Sequence, residues 1–110
     1  MRGAGNEDAA ADAALRRRWR ELVDERLPRA ARERPEWPLR LNHCFARVLL
    51  DDACGAPWRE RIGAPAWREA PPALLARAIA TGEALLAGEA DLVALNRRSL
   101  ALRGKRPPKR

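Results

Sequence analysis

Leu41-Asn42-His43-Cys44-Phe45-Ala46-Arg47-Val48-Leu49-Leu50-Asp51-Asp52-Ala53-Cys54-Gly55 holds the chain's only His, its only Phe and both of its Cys. Asn42 is a good helix opener, because its side-chain oxygen can take an orphan backbone N–H. Gly55 is a good helix closer, because it enters the left-handed region without a Cβ penalty. At 100° per residue His43, Arg47, Leu50 and Cys54 fall on one line, with Cys44 and Asp51 beside it. Phe45, Val48, Leu49 and Ala53 cover the other side. Asp52 lies among the apolar set and needs either a rim position or a partner. The stretch therefore predicts a central helix, apolar behind and polar in front, with the other helices packed around it.

The segments on either side agree with an all-helical chain. Residues 1–11 are Gly-, Ala- and acid-rich without periodicity and are expected to be a disordered lead-in. Leu15, Trp19, Leu22, Val23 and Arg26 then mark one helical stripe over residues 12–27, with Asp12 as cap and Pro28 as stop. Pro35 and Pro38 bracket Glu36-Trp37 in an extended connector, and Trp37 is expected to anchor it on the core. Residues 56–70 carry an imperfect repeat, Ala-Pro-Trp-Arg-Glu followed by Ala-Pro-Ala-Trp-Arg-Glu. Two short turns jointed at Gly63 are expected there. Pro71-Pro72 opens a third long helix to about Ala87, in which Gly82 allows close approach of a neighbour. Asp91 caps a fourth, to about Arg103. The expected architecture is one small all-α domain over residues 12–104: a bundle or orthogonal array of about four helices with an irregular Pro/Trp-rich connector.

Composition bounds the function classes. The 110 residues include 46% apolar and 34% charged side chains, a globular mixture dominated by Ala, Leu, Arg and Glu. No apolar run approaches the roughly 18 residues of a membrane span, and no hydrophobic signal segment opens the sequence. With two thiols left unpaired, a cytoplasmic protein with no membrane partner is expected. The formal net charge is +7, but Arg103, Lys105, Arg106, Lys109 and Arg110 concentrate five positive charges at the end. Residues 105–110 read as a basic tail, and these five side chains are the expected contacts to nucleic acid or another polyanion. Such contacts give affinity that is independent of sequence and steeply salt-dependent.

Few residues can do chemistry. On one helix Cys44 and Cys54 stand about 15 Å apart, too far for a disulfide or a shared metal ion. No metal site and no cofactor are expected. Cys44, in the first helical turn, is the thiol better placed to ionise, and Cys54, at the far end, the worse. His43, Arg47 and Asp51 form an i, i+4, i+8 ladder. Arg47 and Asp51 can pair directly, or the row can tie the central helix to the Trp37 connector or to Asn96 and Ser99. A small-ligand or catalytic site centred on His43, Cys44, Arg47 and Asp51 is thus one reading of this face. The other is a non-enzymatic accessory protein whose tail contacts nucleic acid or an acidic protein surface. Each Trp except Trp37 has an Arg beside it in sequence; Trp19 and Trp37 are expected in the core, while Trp58 and Trp67, in the least regular segment, stay open between the core and a surface position where Arg-flanked aromatics stack bases. A homo-oligomer is compatible with all of this.

The string Asn42-His43-Cys44-Phe45 with Arg47 and Asp51, followed by Leu95-Asn96 and by Ser99-Leu100-Ala101-Leu102-Arg103-Gly104, resembles short uncharacterised bacterial proteins over residues 37–104. Some of those carry a GCN5-related acetyltransferase label. That label implies a mixed sheet and a phosphate-holding loop of the Arg/Gln-x-x-Gly-x-Gly/Ala kind. Neither is written in this sequence, so the resemblance brings no activity and no cofactor with it.

Overall fold

The computed structural model describes residues 2–104, with the side chains of residues 8–104. Its elements are α1 (Arg2–Glu21), a π-helical turn (Leu22–Arg26), α2 (Leu27–Arg32), α3 (Asn42–Cys54), a 3-10 turn (Trp58–Glu60), α4 (Ala66–Glu69), α5 (Pro72–Leu86) and α6 (Leu92–Leu102). The described residues contain no strand, and the chain is all-α. α1, the π turn and α2 run on from one another, so the long rods number four, as expected.

α3 is the centre. Phe45, Val48, Leu49 and Leu50 are all buried, and α3 packs on α5, on α6 and on the π turn. Gly55 ends it at φ 67°, with its N–H donated to the Asp51 carbonyl at 2.8 Å. Asn42 does not cap the helix as a flanking residue. The helix starts one position earlier than that role requires, and the Asn42 side chain takes the His43 N–H at 2.8 Å while donating to Asp24 at 3.0 Å. Asp52 sits at the rim, 3.7 Å from Arg98.

Two expectations about the first helix need correction. Its backbone is helical from Arg2, not from Asp12, and no irregular lead-in separates residues 2–11 from it. Ala9, Ala10, Ala11, Ala13 and Ala14 favour the helix strongly, and no Pro interrupts it. Asp12 is an interior residue that accepts both guanidinium N–H groups of Arg16 at 2.9 Å. Nor does Pro28 stop the helix. Leu27 donates to the Leu22 carbonyl, five residues back, and this extra residue in the turn carries the chain past the missing N–H of Pro28. The result is that Leu22, Val23, Leu27 and Ala31 all face the core.

The connectors behave as the prolines require. Trp37 packs edge-on against Phe45, ring centroids 5.8 Å apart, with the Arg34 guanidinium 4.9 Å from the Trp37 ring centre. Leu39, two residues on, is buried in the core. Pro57 precedes the 3-10 turn and Pro65 precedes α4, so the repeat does make two short turns with Gly63 between them; the Ala64–Pro65 peptide is cis. Asp91 caps α6 by accepting the N–H groups of Val93 at 2.9 Å and Ala94 at 3.2 Å. No described helix is long and apolar enough to cross a membrane.

Candidate functional site

The polar row of α3 faces α6 and is used inside the fold. Asp51 is 0% exposed. Its Oδ2 accepts from Ser99 Oγ at 2.6 Å and from Arg103 Nε at 2.7 Å; its Oδ1 accepts from Arg103 Nη2 at 2.9 Å and from the Trp58 backbone N–H at 2.8 Å. A buried carboxylate is tolerated only with such a set of donors. Ser99 Oγ in turn accepts from Arg47 Nη1 at 2.7 Å, and Arg47 Nη2 donates to Asn96 Oδ1 at 2.9 Å. The anticipated direct Arg47–Asp51 pair is therefore replaced by a bridge through Ser99, because the serine hydroxyl can accept from one and donate to the other.

Arg103 is corrected as well. It was expected to meet a polyanion with the tail, but it forks onto Asp51. The hydrogen bond to Asp51 is the main cause that raises its proton affinity further, against the opposing effect of burial. Lys105, Arg106, Lys109 and Arg110 lie outside the described residues.

The two thiols are free and half-buried against the core. Burial, and next the Asp51 charge, push the Cys54 thiol up, with Arg61 and Arg77 opposing. Cys54 is thus a poor nucleophile, in line with its place at the helix C-terminus. Among the described residues no three His, Cys, Asp or Glu side chains gather where they could hold a metal ion.

His43 parts from the rest of the row. It lines an open groove of about 490 Å³ that neither Cys44, Arg47 nor Asp51 reaches. The four residues expected to form one site do not form one. The floor of the groove is apolar: Trp19, Val23 and Leu50 are buried there, from the first rod and from α3. Its walls come from the repeat, which delivers Trp58 and Trp67 to the same depression. Trp67 is 38% exposed. Arg20 lies 4.7 Å from the Trp67 ring centre and Arg68 5.9 Å from it; Arg59 lies 5.2 Å from the Trp58 ring centre. Asp24, Asn42 and His43 supply a polar border.

The supports of this groove are specific. Arg16, held by Asp12, donates to the Trp67 carbonyl at 3.1 Å and ties α4 to α1. Asp51 holds the Trp58 backbone. Sequence reasoning left Trp58 and Trp67 open between core and surface, and it missed Arg20 and Asp24 as groove residues. Their one signal is the four-residue spacing that puts them on one face beside Trp19 and Val23. No family model, curated protein or solved structure matches the chain.

Proposed function

We propose that the protein is a small non-enzymatic binder of single-stranded nucleic acid, with the Trp58/Trp67 groove as the base-stacking site and the basic tail as a supplementary contact to phosphates. The observation that carries this reading is the convergence of Trp58 and Trp67 with Arg20 and Arg59 on one groove. Aromatic rings take the π-faces of unstacked bases, and guanidinium groups serve the phosphates beside them. The groove volume lies within the range of about 300–1,000 Å³ common to ligand sites. Charge complementarity supports the same occupant: Arg20 and Arg59 line the groove against a single carboxylate, Asp24, and Lys105, Arg106, Lys109 and Arg110 supply most of the chain's net charge of +7.

The test is titration of the full-length protein with a fluorescein-labelled thymidine nonamer, read by anisotropy and by tryptophan quenching. Stacking contributes about 1–3 kcal/mol per base, so Trp67→Ala is expected to weaken binding about tenfold or more while leaving the helical spectrum intact. Arg20→Ala is expected to weaken it less and to flatten the salt dependence. A duplex of the same sequence should bind without the quench, because its bases are already stacked. If polyglutamate displaces the oligonucleotide and Trp67→Ala changes nothing, the occupant is an acidic protein and the reading is wrong.

A further inference from the structure

We infer that the groove, if it holds a single strand as proposed above, selects guanine, through the Asp24 carboxylate at its border. Asp24 lines the groove together with the two tryptophans. Its Oδ1 accepts the Asn42 side-chain N–H at 3.0 Å, and Asn42 is itself fixed by accepting the His43 backbone N–H at 2.8 Å. The carboxylate is therefore oriented from α3. Its Oδ2 accepts no hydrogen bond from a described residue, and Asp24 forms no ion pair with one. Asp24 is exposed, so in the free protein water serves this oxygen and a donor on a ligand can take its place.

The chemistry of the base edges decides what it fits. A carboxylate is acceptor-only, with two oxygens side by side. Guanine is the one common base whose pairing edge offers two adjacent donors, N1–H and the 2-amino group. Adenine and cytosine each set a ring-nitrogen acceptor next to their amino donor, and that lone pair repels a carboxylate. Thymine and uracil flank a single N–H with two carbonyl oxygens. A guanine that displaces Arg59 from the Trp58 ring or Arg20 from the Trp67 ring, with its pairing edge toward Asp24, satisfies the acid and frees the displaced guanidinium for a phosphate.

The experiment uses the full-length protein and thymidine nonamers with one central guanine, hypoxanthine, adenine or cytosine, sequences too poor in guanine to form quadruplexes. A bidentate contact discriminates bases by about tenfold. The guanine nonamer should bind about tenfold tighter than the adenine and cytosine ones, and hypoxanthine, which keeps N1–H but lacks the amino group, should fall between. Asp24→Asn should erase the preference, since a single carbonyl oxygen cannot serve both donors, so that the affinities of the guanine, adenine and cytosine nonamers converge. Equal binding of all four nonamers overturns the guanine inference and leaves the single-strand reading standing. Absence of binding to every nonamer overturns both. A guanine preference that survives Asp24→Asn removes Asp24 from the recognition.

Discussion

Gly82 shows how closely the rods meet. A Cβ there would lie 2.5 Å from Leu22 Cδ2 and 3.2 Å from both Leu22 Cγ and Leu49 Cδ1. Leu22 and Leu49 are fully buried, so neither has room to swing aside. Gly82→Ala sets a helix-propensity gain of about 1 kcal/mol against an overpacking cost of about 1–3 kcal/mol. The expected outcome is a net loss of about 1 kcal/mol, read as a lower urea midpoint with an unchanged slope. Asp51 is more demanding. Asp51→Asn leaves an amide hydrogen facing donors from Ser99, Arg103 and Trp58, and breaking a buried pair on one side costs about 3–5 kcal/mol. Arg103→Gln should cost less, because the Arg103 side chain is 25% exposed and its loss leaves Asp51 with the Ser99 and Trp58 donors. Urea unfolding of the two variants ranks them. At this scale the sequence pointed well to Gly82, and it offered the Asn96/Ser99 tie beside a tie to the Trp37 connector, of which the structure has the first. It pointed wrongly to a free Arg103, because a tail arginine and a network arginine look alike until α6 is docked.

The elements were legible where their signals are local. The apolar period over residues 42–54, the Gly55 stop, the Pro72 start and the Asp91 cap all depend on neighbours within a few residues, and the structure has them. The π turn was not legible, since Pro28 reads as a stop unless the extra residue before it is known. The groove was not legible either: α1, α3 and the 58–67 segment meet there through packing that no spacing reports. The turn containing Arg26 is joined to α5 by a forked pair to Glu83, at 2.7 and 2.9 Å. The Arg26 hydrogen bond is the chief cause that holds the Glu83 carboxyl below the ordinary glutamate range. A depressed folded value means that this stabilisation is complete above the ordinary glutamate range and fades as pH falls through the folded value. Both side chains are about two-fifths exposed, which limits the pair to about 0.2–1 kcal/mol. Wild type should thus exceed Glu83→Gln in stability by about that amount near neutrality, and the gap should close as acidification passes below the ordinary glutamate range. Urea midpoints of both proteins across that range check it, and a gap that widens in acid would contradict the sign.

At the scale of the whole molecule, charge and groove make separable contributions to binding. Lys105, Arg106, Lys109 and Arg110 carry four of the seven net positive charges, whereas Arg103 is neutralised by Asp51 within the fold. Each phosphate neutralised on a single strand contributes about −0.7 to the slope of log affinity against log salt. Replacing the four tail residues by Gln in the full-length chain should therefore flatten that slope by about 3 for a thymidine nonamer, with a large loss of affinity at low salt. Tryptophan quenching at saturation should not change, because the stacking surfaces belong to the body of the fold. Trp67→Ala should do the reverse, weakening the quench and leaving the slope almost as steep as in wild type. These opposite signatures follow from a phosphate contact being electrostatic and a base stack being largely salt-independent. A neutral-tail variant that loses the quench at saturating oligonucleotide would mean that the groove takes no base of its own, and the tail alone would then account for association with nucleic acid.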